Sequence, residues 1–186
     1  MPTDPFQSSE ILVGVTGGIA AYKAADLVAK LRQRGADVTV AMTANATRFV
    51  QPLTFAALSN RRVITDLFDS PDTYHTEHIA LAQRIQLAIV APATANFLAK
   101  VAAGIADDAL TTAMVSLGCP ILLAPAMNHR MWGNAIVQAN LARLREIGYR
   151  FADPEEGWLA CGERGVGRLA KVATLVDLAE QILRKA

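Results

Sequence analysis

The chain has 186 residues, a formal charge of +1 and an apolar fraction of 52%, enough to bury a substantial core in one domain. That charge balance gives no broad attraction for a polyanion, and no Lys/Arg stripe interleaved with aromatics appears, which argues against nucleic-acid binding. No apolar stretch reaches membrane-spanning length without Lys, Arg, Asp or Pro interrupting it. The two cysteines, Cys119 and Cys161, carry no sign of an oxidising compartment, so the reading is a cytoplasmic protein.

Met1–Ser9, with Pro2, Asp4 and Pro5, reads as a loose arm rather than a signal peptide. Ile11–Val15 is a short apolar run predicting a buried strand, and Thr16-Gly17-Gly18 turns the chain. From Ile19 to Arg34 the apolar positions Ala20, Ala24, Leu27, Val28 and Leu31 repeat at helical spacing, with Gly35 as the stop. Val38–Met42 predicts the second strand, Thr43–Thr47 a polar turn entering a helix, and Pro52–Leu58 a short helix ending near Asn60. Asp66–Glu77 is the least periodic stretch and reads as a loop. Leu87–Val90 is a third strand leading into Pro92–Asn96, and helical segments follow at Phe97–Val101 and Ala109–Leu117, broken near Gly104. Pro120–Ala124 is a fourth strand, and Ile136–Ile147 an amphipathic helix stopped by Gly148. Tyr149–Phe151 is a short last strand, Glu155–Arg168 a Gly-rich irregular segment, and Thr174–Lys185 a closing helix. Apolar runs alternating with helix-period segments predict a single α/β domain over residues 1–186: a three-layer Rossmann-like (flavodoxin-like) fold around a parallel sheet.

Ligands of open parallel sheets bind at the carboxyl ends of the strands. Those ends carry Thr16–Gly18, Thr43–Thr47, Pro92–Asn96 and Pro125–Asn128. The glycines after the first strand suit either a phosphate approaching helix amides or a tight turn without a ligand. The run lacks both G-x-G-x-x-G spacing and the Gly-Lys-Ser/Thr of a P-loop. An NAD site calls for an acid at the end of the second strand, where Val40-Ala41-Met42 stands. Thr43, Asn45 and Thr47 are small donors that favour a mononucleotide such as FMN, or else cap a helix. Thr94 and Asn96 carry the same two readings.

His75 reads as solvated, His129 as a loop residue, and His78, ahead of Ile79-Ala80-Leu81, as a core or capping histidine. No paired His/Cys/acid spacing marks a metal site, and no G-x-S-x-G elbow marks a serine hydrolase. Cys119, beside Pro120, reads as an inert core thiol. Cys161, between glycines and near charged side chains, suits an acid, a nucleophile or a sensor, or is incidental to a surface hairpin.

Five segments, in order, resemble the homo-oligomeric flavin-containing cysteine decarboxylases. They are Gly14-Val15-Thr16-Gly17-Gly18-Ile19-Ala20, His78-Ile79, Ala91-Pro92-Ala93-Thr94-Ala95-Asn96, Pro125-Ala126-Met127-Asn128-His129-Arg130-Met131-Trp132 and Ala160-Cys161-Gly162. The resemblance runs from Ile11 to about Val176. It implies FMN held by Gly17, Gly18, Ile19, Thr43, Asn45 and the turn Thr94, Ala95, Asn96, Phe97, with Ala124 nearby. It makes His78 the active-site histidine and Cys161 the catalytic acid on a flap. Asn128 would hold the substrate carboxylate, with Met131, Leu159 and Ala160 enclosing the substrate. The implied reaction is decarboxylation of 4′-phosphopantothenoylcysteine in coenzyme A biosynthesis. Alternatives are a C-terminal peptidyl cysteine, as in lantibiotic maturation, or flavin binding without catalysis in a regulatory protein. The resemblance further implies a trimer, often assembled into a dodecamer, with flavin at the subunit contact. Phe97 stands where the family pattern has Thr, so any contact by that hydroxyl is lost. The second, ligase domain of many bacterial relatives is not expected in this chain.

Overall fold

A computed structural model describes residues 4–66 and 82–185. The continuous apolar runs become buried parallel strands, because helices cover both faces of the sheet there, while the short edge strand Arg150–Phe151 stays partly exposed. In chain order the strands are β1 (Glu10–Val15), β2 (Asp37–Met42), β3 (Leu87–Ala93), β4 (Ile121–Pro125) and the short β5 (Arg150–Phe151). They pair in the order β2-β1-β3-β4-β5. All neighbours are parallel, with Ile11 opposite both Val38 and Leu87.

The helices are α1 (Ala21–Gln33), α2 (Pro52–Ser59), α3 (Ala95–Ala103), α4 (Ala109–Ser116), α5 (His129–Trp132), α6 (Ala135–Glu146) and α7 (Val172–Leu183). On one face of the sheet α1, α2 and α7 pack around Leu27, Leu31, Phe55 and Leu175. On the other, α3, α4 and α6 pack around Leu98, Leu110, Leu141 and Leu144. Gly35, Gly104 and Gly148 follow three of these helices with φ of 89°, 72° and 100°, where an L side chain would be strained. Asn60 takes the same left-handed role after α2.

Two expectations are corrected. Residues 4–9 are not a loose arm: Phe6 is fully buried in the core beneath the Arg34 guanidinium, which lies 4.5 Å from its ring centroid. Asp4 accepts from Arg34 Nε at 2.7 Å and Nη2 at 2.8 Å. Glu155–Arg168 is not irregular either. It forms an antiparallel hairpin, β6 (Glu155–Trp158) and β7 (Arg164–Arg168), outside the main sheet. Its glycines hide the two-residue alternation by which a strand is read from sequence. The 66–77 loop lies, apart from Asp66, outside the described residues, as do His75 and His78. Among the described residues no helix is long and apolar enough to cross a membrane.

Candidate active site

The strand order reverses between β1 and β3, so their following helices leave on opposite faces and open a crevice at the carboxyl edge. Thr16 holds the two strand ends together there. Its buried Oγ1 donates to Pro92 O at 2.6 Å and accepts from Thr94 N–H at 3.0 Å. The hydroxyl thereby satisfies backbone groups that β3 frees where its pairing with β4 shifts register between Val90 and Ala93.

A cavity of about 940 Å³ occupies the crevice. Gly17, Gly18, Ile19, Thr43 and Asn45 form one wall, and the turn Thr94, Ala95, Asn96, Phe97 another. Asn128, Met131, Leu159, Ala160 and Cys161 close the mouth. Ala124 does not reach it: it is fully buried inside β4, where helices cover both faces. Ala126, past the strand end, lines the cavity instead.

Gly17 is required by space, whereas a side chain at Gly18 would make only ordinary contact. A Cβ on Gly17 would collide with Asn45, and one on Gly18 would sit 3.5 Å from Thr94 Cγ2, narrowing the gap between two walls. The start of α1 has Ala20 as its cap, with no side-chain hydrogen bond and no acid in the first turn. Two of its leading amides are taken within the turn, Ala21 N–H by Gly18 O at 2.9 Å and Lys23 N–H by Ala20 O at 3.0 Å, while Ile19, Ala20 and Tyr22 beside them line the cavity. Thr94 does cap α3, accepting from Phe97 N–H at 3.4 Å, and Thr43 Oγ1 accepts from Ala46 N–H at 3.4 Å. Asn45 makes no side-chain capping bond to the 3₁₀ turn that follows it.

Among the described residues, three cations missed by sequence reasoning, Lys23, Lys100 and Arg168, also line the cavity with the carboxylate Asp108, and Lys100 is paired with Asp107 at 2.7 Å. Burial, with Arg168 beside it, holds the Lys23 ammonium below the usual lysine value. Lys23 lies in the first turn of α1, directly after the Gly17–Ile19 segment, and that proximity was the available clue. Arg168 had none, because only the hairpin fold brings it to the cavity.

At the mouth, Asn128 Oδ1 accepts from Arg130 N–H at 2.8 Å, which fixes the amide plane. Its Nδ2 then points at Cys161 Sγ, 3.1 Å away. Cys161 is exposed at the tip of the hairpin, 3.8 Å from Glu163 Oε2. The hairpin docks through Met127 N–H to Gly167 O at 3.0 Å, and through Leu159, only 7% exposed. Gly167 permits the first contact, since a Cβ there would collide with the Met127 carbonyl. Cys119 is remote and half-buried, and burial pushes its thiol up, consistent with an inert thiol.

The flavoprotein family model matches residues 3–184. The chain is 49% identical over 171 residues to the coenzyme A biosynthesis bifunctional protein CoaBC of Bacillus subtilis (strain 168), covering 92% of this chain and 42% of that protein. It is 44% identical over 170 residues to the protein of the same name from Escherichia coli (strain K12), covering 91% and 42%. It therefore spans about two fifths of the length of these curated relatives. Among solved structures, the FMN-dependent cysteine decarboxylase SpaF matches with a TM-score of 0.84 and 32% identity, covering 97% of this chain and 98% of that one. A PPC decarboxylase mutant complexed with pantothenoylaminoethenethiol matches with a TM-score of 0.87 and 26% identity, covering 97% and 100%. The chain belongs to the flavoprotein family.

Proposed function

We propose that this chain is an FMN-dependent decarboxylase that converts 4′-phosphopantothenoylcysteine to 4′-phosphopantetheine for coenzyme A biosynthesis in the cytoplasm. The observation that carries the reading is Asn128 Nδ2 held 3.1 Å from Cys161 Sγ at the mouth of a cavity floored by Gly17, Gly18 and Thr94. An amide and a thiol converge where a cysteine-derived substrate would react.

The residues fit FMN. The uncapped start of α1, Thr43 and Asn45 suit its phosphate, and the gap kept by Gly17 and Gly18 suits a flat ring. Lys23, desolvated beside Arg168, regains favourable charge pairing when an anion enters. Phosphate on either ligand answers that need.

Bound FMN supplies reversible two-electron oxidation of the substrate's cysteinyl side chain, which creates an electron sink beside a carboxylate that otherwise leaves poorly as CO2. Asn128 orients that carboxylate with a neutral amide, avoiding an ion pair that would favour the ground state. Leu159, Ala160 and Met131 enclose the substrate and exclude water. Cys161 holds the proton that returns to the decarboxylated product. His78, which the family resemblance assigns to the oxidation step, lies outside the described residues.

A C-terminal peptidyl cysteine would present the same carboxylate and thiol, and the 32% identity to the cysteine decarboxylase SpaF supports that second reading. Self-association into a trimer or dodecamer would cover the exposed apolar side chains of Ile19, Tyr22 and Trp158, which stand 61%, 61% and 72% exposed at the cavity.

The test is a visible spectrum of the purified protein, followed by addition of 4′-phosphopantothenoylcysteine while CO2 and product mass are recorded. A yellow protein that releases CO2 and phosphopantetheine is expected. A yellow protein inert to that compound but active on a peptide ending in cysteine selects the second reading. A colourless protein that FMN cannot reconstitute rejects both.

A further inference from the structure

The cavity mouth carries a second constellation, of which the proposed chemistry uses only Cys161. His129 Nδ1, Cys161 Sγ and a Glu163 carboxylate oxygen all lie within 4.8 Å of one another. Two of the separations are 3.5 Å, from His129 Nδ1 to Glu163 Oε2, and 3.8 Å, from Cys161 Sγ to the same oxygen. Tetrahedral zinc, with bonds of about 2.0–2.3 Å to N, O and S donors, sets donor atoms roughly 3.3–3.5 Å apart. The observed triangle therefore needs only small side-chain adjustments to close on a metal.

A second observation points the same way. His129 Nδ1 is shielded from solvent and has no hydrogen-bond partner among the described residues. A buried ring nitrogen without a partner is costly, and this one faces the carboxylate and the thiol. The ring is fixed in that direction because β7 packs against it: a Cβ on Gly165 would come within 2.8 Å of His129 Cβ. The trio joins α5 to the hairpin tip, so one ion would bridge two elements.

We propose that His129, Cys161 and Glu163 form a zinc-class metal site that captures the hairpin thiol. One imidazole, one thiolate and one carboxylate are the donor set of a borderline-soft divalent ion. Three protein donors leave a fourth position for water. Binding replaces the S–H bond of Cys161 with a metal–sulfur bond and releases the proton to solvent. The consequence for turnover rests on the reading of Cys161 as proton donor: the metal removes that proton and pins the hairpin to α5, giving reversible inhibition.

The experiment uses FMN-loaded protein and zinc chloride alone, without substrate. Equilibrium dialysis counts bound zinc, and iodoacetamide labelling read by mass spectrometry follows each cysteine. The expected result is one zinc per chain, with labelling of Cys161 slowed at least tenfold and that of Cys119 unchanged. His129→Ala and Glu163→Gln should each weaken zinc binding by about tenfold or more. Glu163 is half-exposed, so its substitution leaves the hairpin packing in place. Absence of stoichiometric zinc, equal protection of both cysteines, or undiminished binding in Glu163→Gln overturns the site. With substrate present, zinc should suppress product formation at least tenfold and a chelator should restore it. A protein that binds zinc as expected but releases no CO2 from substrate even when metal-free refutes the decarboxylase reading and leaves the metal site standing. One that releases CO2 with Cys161 unprotected refutes the metal site alone.

Discussion

The cavity wall built from β1, β3 and their following loops differs in kind from the wall built from α5 and the β6–β7 hairpin. In the first, every residue of β3 is buried, and Thr16 bonds both strand ends from a fully enclosed position. In the second, Trp158, Cys161 and Arg164 are exposed, and docking rests on Leu159, one backbone bond to Met127, the Asn128–Cys161 hydrogen bond and the contacts of His129 with Gly165 and Glu163. The first wall is continuous with the core, so moving it means opening the sheet. The second can shift by breaking few contacts, as a group that must admit substrate and then enclose it requires. On the proposed function, cofactor holding and proton delivery would fall on parts of different stiffness.

Three substitutions probe that division. Cys161→Ser lies wholly in the hairpin, and as loss of a general acid it should cut product formation about 10²–10⁴-fold. Flavin content and the thermal midpoint should stay at wild-type values, because the side chain is exposed and carries no packing. Normal turnover to phosphopantetheine in the serine variant would falsify the role given to Cys161, and lost flavin would mean that the hairpin also holds the cofactor. Thr16→Val keeps the shape of the first wall but strands Thr94 N–H and Pro92 O, at a cost of about 1–3 kcal/mol. For a chain of this size that lowers the thermal midpoint by about 2–4 °C per kcal/mol, and flavin should dissociate faster in a fluorescence release assay. Unchanged flavin retention would mean that the junction is not what positions the cofactor wall.

Asp4→Asn, far from both walls, gives the smallest effect. Hydrogen bonds from Arg34 hold the Asp4 carboxyl below its ordinary value. The sign follows: a depressed folded value stabilises above the unfolded pKa of about 3.9, and that stability is lost as pH falls through the folded value. The pair is partly exposed, so the substitution should cost under about 1 kcal/mol at neutral pH. Unfolding by urea across pH 7 to 3 should show the difference fading at the acid end, with flavin content unchanged. A difference that persists at low pH would assign the effect to the packing of Phe6 instead of charge.

Much of the fold was legible because parallel strands covered on both faces must be apolar throughout, and helices must repeat near every third and fourth residue. The runs at Ile11–Val15 and Leu87–Val90 needed no partner to be recognised. Gly17 and Gly18 were visible as candidates for the same local reason, since strand-to-helix turns at a carboxyl edge are short and Gly-rich. Ala124 shows the limit: alternation gives it the same parity as Ala126, and only the end of β4 decides which one meets the cavity.

The sequence by itself determined the α/β architecture, the carboxyl-edge location of the site and the identity of Asn128 and Cys161 as candidates, because each is written within a few neighbouring residues. Tertiary structure alone decided that Phe6 anchors the N-terminal segment, that Lys23 and Arg168 share one cavity, and that His129, Cys161 and Glu163 meet. Those facts depend on segments as distant in the chain as α1 and β7. Their separation is set by strand order and hairpin docking, which no local periodicity encodes.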